Sequence, residues 1–177
     1  MNMTGKTCER CKAGTYREYD IFDDWDGMVT CDKCFHRIDK NPNKIKAMKF
    51  TPENIRHLEP NQIFVYGANE KGIHGAGAAK LALRWGAKMG EYGLNGQTYG
   101  IPTKDKKIQT LPLDKIQAHV DTFLAVAFSH PEYEFLVSKI GCGLAGYRPE
   151  DIAPLFKIIK TGVFDNVILP EEFYKYI

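Results

Sequence analysis

No apolar stretch of this 177-residue chain approaches the ~20 residues that a membrane-spanning helix needs; the longest runs only from Phe123 to Phe128. The opening residues Met1 to Lys6 lack the apolar core of a signal peptide. Neither sign of charge dominates. The 24 basic and 22 acidic side chains leave a formal net charge of +2, which gives no electrostatic case for binding nucleic acid or an anionic membrane. Internal repeats and low-complexity tracts are missing, and 44% hydrophobic with 26% charged residues excludes wholesale disorder. These absences lead to the expectation of a soluble cytoplasmic protein with no membrane partner. Its length suits one ordinary domain with a small appendage.

Cysteine is sparse too, but its placement is informative. Of five cysteines, four lie in Cys8-Glu-Arg-Cys11 and Cys31-Asp-Lys-Cys34. That C-x2-C…C-x2-C spacing, with no export signal, points to metal rather than disulfides. Cys8, Cys11, Cys31 and Cys34 are the expected ligands of a structural zinc, a closed tetrahedral shell with no open position for catalysis. Thr15 to Tyr19 and Gly27 to Thr30 read as short strands between the pairs. Residues 1–38 then form a zinc ribbon too small to bury a core, so the metal would supply much of its folding free energy. The alternatives are four reduced cysteines in a small apolar cluster, or His36 in place of one thiolate. Charges nearly balance across residues 1–60, and thiolates around zinc do not attract phosphate. The ribbon therefore reads as a structural element or as a dock for a protein partner.

Residues 39–60 read as a polar linker followed by a short helix, with Thr51 as N-cap and Pro52 in the first turn. From residue 61 the pattern alternates strand and helix. Strands are predicted at Ile63 to Tyr66, Gln97 to Thr103, Glu134 to Ile140 and Asn166 to Leu169. Helices are predicted over 75–89, 113–129 and from Pro149 to about Lys160. Alternation of this length implies an α/β domain, three layers built on a mainly parallel sheet.

In such sheets ligands bind outside the carboxyl ends of the strands, and the unusual residues follow three of those ends. Asn69 leads into Gly72-Ile-His74-Gly75-Ala76-Gly77. Thr103-Lys104-Asp105 follows the second strand. Gly141-Cys142-Gly143-Leu144-Ala145-Gly146-Tyr147 follows the third. Glycine permits close backbone approach, and free N–H groups at helix starts suit anions. Two such helix starts facing one another would suit a diphosphate. A single loop of this kind is equally explained by a tight strand-to-helix turn. Gly141-x-Gly143-x-x-Gly146, with Asp165 about twenty residues on, also matches the dinucleotide fingerprint. Too little chain follows it for the remaining strands of a nicotinamide domain.

Strand-Gly-Ala-Asn69, the Gly-x-Gly loop and Ile140-Gly-x-Gly-x-x-Gly-Tyr147 resemble a macro domain, the ADP-ribose-binding fold. The likeness is nearest to the branch containing terminal ADP-ribose protein glycohydrolase and to small macro-like proteins of phages and bacteria. Ile101-Pro102-Thr103-Lys104 and Ser138-Lys139-Ile140-Gly141-Cys142-Gly143-Leu144 carry it. The likeness covers residues 61–177 and implies a bacterial cell or phage-infected host. It implies that Asn69 bonds the distal ribose and that Gly75, Ala76 and Gly77 approach ribose and phosphate. Gly141, Cys142, Gly143, Leu144, Ala145 and Gly146 would wrap the diphosphate, with Tyr147 packed on the distal sugar. Lys104 matches a lysine that attacks the anomeric carbon in the glycohydrolase branch. It also reads as a phosphate-pairing or simply solvated lysine, and phosphate pairing is preferred. Where that branch has a catalytic aspartate this chain has Ala145, which cannot act as a base. Asp105 or His74 could substitute, although His74 reads more simply as a loop histidine. Cys142 reads as a small buried thiol.

The preferred expectation is a reader or sequestering module for ADP-ribose or a related NAD-derived nucleotide, free or on an ADP-ribosylated macromolecule. A hydrolase of ADP-ribosyl bonds using Lys104 is the first alternative. A zinc-ribbon adaptor with a non-binding scaffold is the second.

Overall fold

The computed structural model describes residues 49–177 in full, and before them only the backbone of three short strands. The chain divides into two compact units, Met1–Lys49 and Phe50–Ile177. In the first, β1 (Tyr16–Arg17), β2 (Met28–Cys31) and β3 (Arg37–Asp39) form an antiparallel sheet in that order. Two of these strands fall where the sequence placed them, and β3 was not anticipated. Cys8, Cys11, Cys34 and the side chain of Cys31 lie outside the described residues, as do residues 40–48 of the expected linker, whose first residue, Asp39, ends β3.

The larger unit is an α/β fold. Its elements are β4 (Gln62–Asn69), α1 (Gly77–Ala82), β5 (Gly93–Asn95), β6 (Thr98–Lys104), α2 (Leu113–Ser129), β7 (Glu134–Val137), α3 (Pro149–Ile152) and β8 (Val167–Ile168). The five strands form one sheet in the order β5-β6-β4-β7-β8, parallel except where β5 pairs with β6. The central strand β4 is covered on both faces, which is why it reads Ile-Phe-Val-Tyr without alternation. Ile63 and Val65 pack with Ile116, Val120 and Phe123 of α2. Phe64, Tyr66 and Ala68 pack on the opposite face with Ala79 and Ala82 of α1. The result is two helical layers around a sheet.

Several expected elements are shorter or different. Residues 51–60 are neither linker nor helix: Ile55 and Leu58 are buried in the α1-side core. The Thr51 hydroxyl donates to the Ile168 carbonyl (2.7 Å) and its N–H to that of Leu169 (3.0 Å), so the supposed N-cap side chain is spent on β8. The helix expected over 75–89 is α1 plus one 3-10 turn to Trp85, ended by Gly86 in the left-handed region. The helix expected from Pro149 turns 3-10 at Ala153 and continues so to Thr161. Pro154 lacks the N–H that an α-helix would require there. β7 ends at Val137 rather than Ile140. β5 was missed, although Asn95-Gly96 is a hairpin signal, with Gly96 at φ +55°.

Candidate functional site

The sheet order sends the chain from β4 to one neighbour, β6, and then across to the other, β7. A crevice is expected outside the carboxyl ends of such strands. A cavity of about 360 Å³ opens there. Its floor is Ala68, Asn69, Thr103 and Lys104 with Ser138 and Lys139; its walls are Gly75 to Ala79 and Gly141 to Ala145, Cys142 excepted. The register slips between Ala68 and Asn69 against β6, a bulge of the kind that re-aims strand-end side chains.

Asn69 builds the first loop. Its side-chain oxygen accepts from the N–H groups of Lys71 (3.2 Å) and Ile73 (3.0 Å), and its amide donates to the Ile73 carbonyl (2.7 Å). One amide N–H is left for a ligand. At Gly72, φ is +67° and a Cβ would lie 2.3 Å from the backbone nitrogen of Glu91, so no side chain fits. His74 turns inward, 2% exposed. Its Nε2 lies 2.9 Å from the Lys88 carbonyl and 3.4 Å from the Tyr66 hydroxyl. It does not line the cavity. Beyond it, the N–H groups of Gly75, Ala76, Gly77 and Ala78 donate to no described group, and all four residues line the cavity where α1 begins.

The second loop is drawn tight against the sheet. A Cβ on Gly67 would lie 3.5 Å from the Gly141 nitrogen, and Gly141 itself has φ +72°. Its internal bonds run from Cys142 N–H to Lys139, Gly146 N–H to Gly143 and Tyr147 N–H to Gly141. That leaves the N–H groups of Gly141, Gly143, Leu144 and Ala145 without partners among the described residues, all on cavity-lining residues. The Thr110 hydroxyl donates to the Ala145 carbonyl (3.0 Å) and pins this loop to the 104–110 hairpin.

Not every expected residue arrives. Tyr147 is held away from the cavity by its hydroxyl bond to the Leu111 carbonyl (2.7 Å), and Gly146 lies outside the lining. The second helix start does not face the cleft either. Pro149 has no N–H, and the Arg148 N–H is spent on Asp151 Oδ2 (2.9 Å), so the late loop contributes its own backbone rather than a helix terminus. Asp105 Oδ1 accepts from the N–H groups of Lys107 and Gln109 at 2.8 Å each, closing its own turn, and the residue is not in the lining. Burial pushes the Cys142 thiol up to about 11, with Glu172 adding to the shift, and the side chain packs against the core. This agrees with an inert thiol.

The Lys104 ammonium makes no hydrogen bond or ion pair with the described residues. Lys139, which carried no separate role in the sequence, also lines the cavity and is paired with Glu53 and Glu172 at 2.9 Å each. Exposed Ile73, Ile108 and Leu144 stand at the rim. Ile108 has φ +67°, a strained conformation for a β-branched residue. The lining includes no carboxylate, imidazole, thiol or phenol. A larger groove of about 1070 Å³ adjoins it and shares Gly77, Ala78, Ser138 and Lys139.

No family model, curated protein or solved structure matches the chain.

Proposed function

We propose that the chain binds ADP-ribose or a related NAD-derived nucleotide in this cleft, as a reader or sequestering module. One observation carries the reading: residues of two glycine loops whose backbone N–H groups have no partner among the described residues line a single cavity, and Lys104 lines it with them. Backbone donors of this kind make an anion cradle, and a lysine is a point charge suited to phosphate. The cavity lies in the lower part of the range usual for ligand sites, ~300–1,000 Å³. It suits a ribose with its phosphates. The adjoining groove, with Phe50, Ile55 and Phe64 on its wall, offers room for the remaining nucleoside. The macro-domain resemblance supplies the choice of ADP-ribose among diphosphate nucleotides.

Recognition is favoured over hydrolysis by the composition of the lining. Ala145 stands in it where a base would be needed, Asp105 is committed to its turn, and His74 is turned away. Among the described residues, none lining the cavity could take up a proton from Lys104. The N-terminal cysteine pairs remain our candidate for a structural zinc. Thiolate is a suitable zinc ligand and the strand arrangement is that of a small antiparallel ribbon.

Incubation of the full chain with ADP-ribose and with ADP-ribosylated protein and DNA tests the reading. Binding without release of ADP-ribose is expected, and Lys104→Ala should weaken it about tenfold while leaving the unfolding midpoint in place. Release that disappears in Lys104→Ala would establish the hydrolase instead. No binding of ADP-ribose, its phosphates or NAD would refute both.

A further inference from the structure

Lys139 stands at the junction of the two cavities, lining both, whereas its partners Glu53 and Glu172 line only the larger groove. Both carboxylates lie 2.9 Å from its ammonium, one from the segment before the sheet and one from the C-terminal 3-10 turn. An ammonium has three donors, so one remains after these two bonds. The group of three carries a net charge of −1, beside the unpaired N–H groups of Gly141, Gly143, Leu144 and Ala145. A phosphate cradled by those donors would meet Lys139 within the same loop. It would also meet the field of two carboxylates that already over-neutralise that lysine.

We propose that Lys139 is a phosphate-binding residue of the cleft, and that Glu53 and Glu172 hold its charge in check and so weaken the grip on a diphosphate. The inference rests on the nucleotide reading above and deepens it. The carboxylates act as a brake on affinity, which suits a module that must release its nucleotide. The two partners, Glu172 first, hold the lysine above its ordinary pKa range, so it stays charged at any physiological pH. The brake is therefore electrostatic and not a matter of protonation. Arg56, Arg84 and Lys175 also line the groove and are common to every variant below.

The test is calorimetric titration of the full chain with ADP-ribose and, separately, with uncharged adenosine. Glu53→Gln and Glu172→Gln should each tighten ADP-ribose binding by roughly two- to fivefold, the scale of a partly exposed ion pair. They should leave adenosine unmoved, and the gain should shrink as salt screens the charges. Lys139→Met should weaken ADP-ribose binding, and in that background the salt-dependent gain from the two glutamine substitutions should persist or grow, because the carboxylates then face the phosphate with no ammonium beside them. If the group is only a strut joining two chain segments, the substitutions lower the unfolding midpoint and leave ADP-ribose affinity unchanged or weaker. That result overturns the proposal while sparing the nucleotide reading. Failure of every variant, and of the unaltered chain, to bind ADP-ribose overturns both.

Discussion

Replacing Gly141 by alanine separates the architecture of the late loop from its mere presence. Gly141 has φ +72°, and a Cβ there would lie 2.8 Å from Ile152 Cδ1 and 3.1 Å from Cγ1. Ile152, the last residue of α3, is fully buried and has little freedom to retreat. The left-handed conformation costs a non-glycine residue about 1–2 kcal/mol, and pressing an extra methyl into a packed core costs about 1–3 kcal/mol. Some relaxation is expected, so Gly141→Ala should destabilise the larger unit by about 2–4 kcal/mol. For a unit of this size that lowers the melting midpoint by about 6–15 °C. Gly143 is the control. It lies in the same loop, but a Cβ there meets nothing within 4 Å and its φ is not in the left-handed region. Gly143→Ala should stay within about 0.5 kcal/mol of the unaltered chain. Thermal and urea unfolding of both variants measures the contrast. A Gly141→Ala protein as stable as the Gly143→Ala protein would refute the account of how this loop is held against the sheet.

Other consequences follow from the same geometry. Asn69→Ala leaves the Lys71 and Ile73 N–H groups without their acceptor and should cost about 1–3 kcal/mol in urea unfolding; a neutral substitution would mean the loop is shaped otherwise. The Cys142 thiol is raised from near 9 to about 11 by burial. Its folded pKa thus exceeds its unfolded value, so its contribution to stability is full below pH 9 and is lost as pH rises through about 11. Cys142→Ala should flatten the fall in stability over pH 9–11 relative to the unaltered chain, and parallel profiles would contradict the burial. Purified protein should contain about one equivalent of zinc that a chelator removes. Removal should leave ADP-ribose binding by the larger unit intact. Less than half an equivalent would undermine the four-cysteine assignment.

The fold was legible where one local signal was strong. α2 lies where its apolar spacing put it, from Leu113 to Ser129, with Ile116, Val120, Phe123, Leu124 and Ala127 buried. β4 followed from its apolar run, and the sheet class from the alternation of strand and helix after it. Tertiary contacts hid the rest. Thr51 and Pro52 carry a helix-start pattern, but the Thr51 hydroxyl donates to the Ile168 carbonyl, more than a hundred residues on, and ties the segment to β8 instead of opening a helix. Pro154 was the readable sign that the helix after Pro149 would tighten to 3-10. At the site, the glycine loops and Lys104 were readable from composition at the strand ends. Three features depended on distance and direction, which spacing does not encode. These are the self-bonding of Asn69, the tether of Tyr147 to Leu111 and the inward turn of His74. The Glu53–Lys139–Glu172 group joins residues far apart in the chain and left no sequence signal.

The account stands on the unpaired backbone donors of the two loops. Its most direct test is amide NMR of the full chain during a titration with ADP-ribose. The N–H signals of Gly75, Ala76, Gly77, Gly141, Gly143, Leu144 and Ala145 should move together along one saturable curve, and their hydrogen exchange should slow on binding. Saturable binding that leaves those amides in place, or no binding at all, would contradict the claim that they form a phosphate cradle.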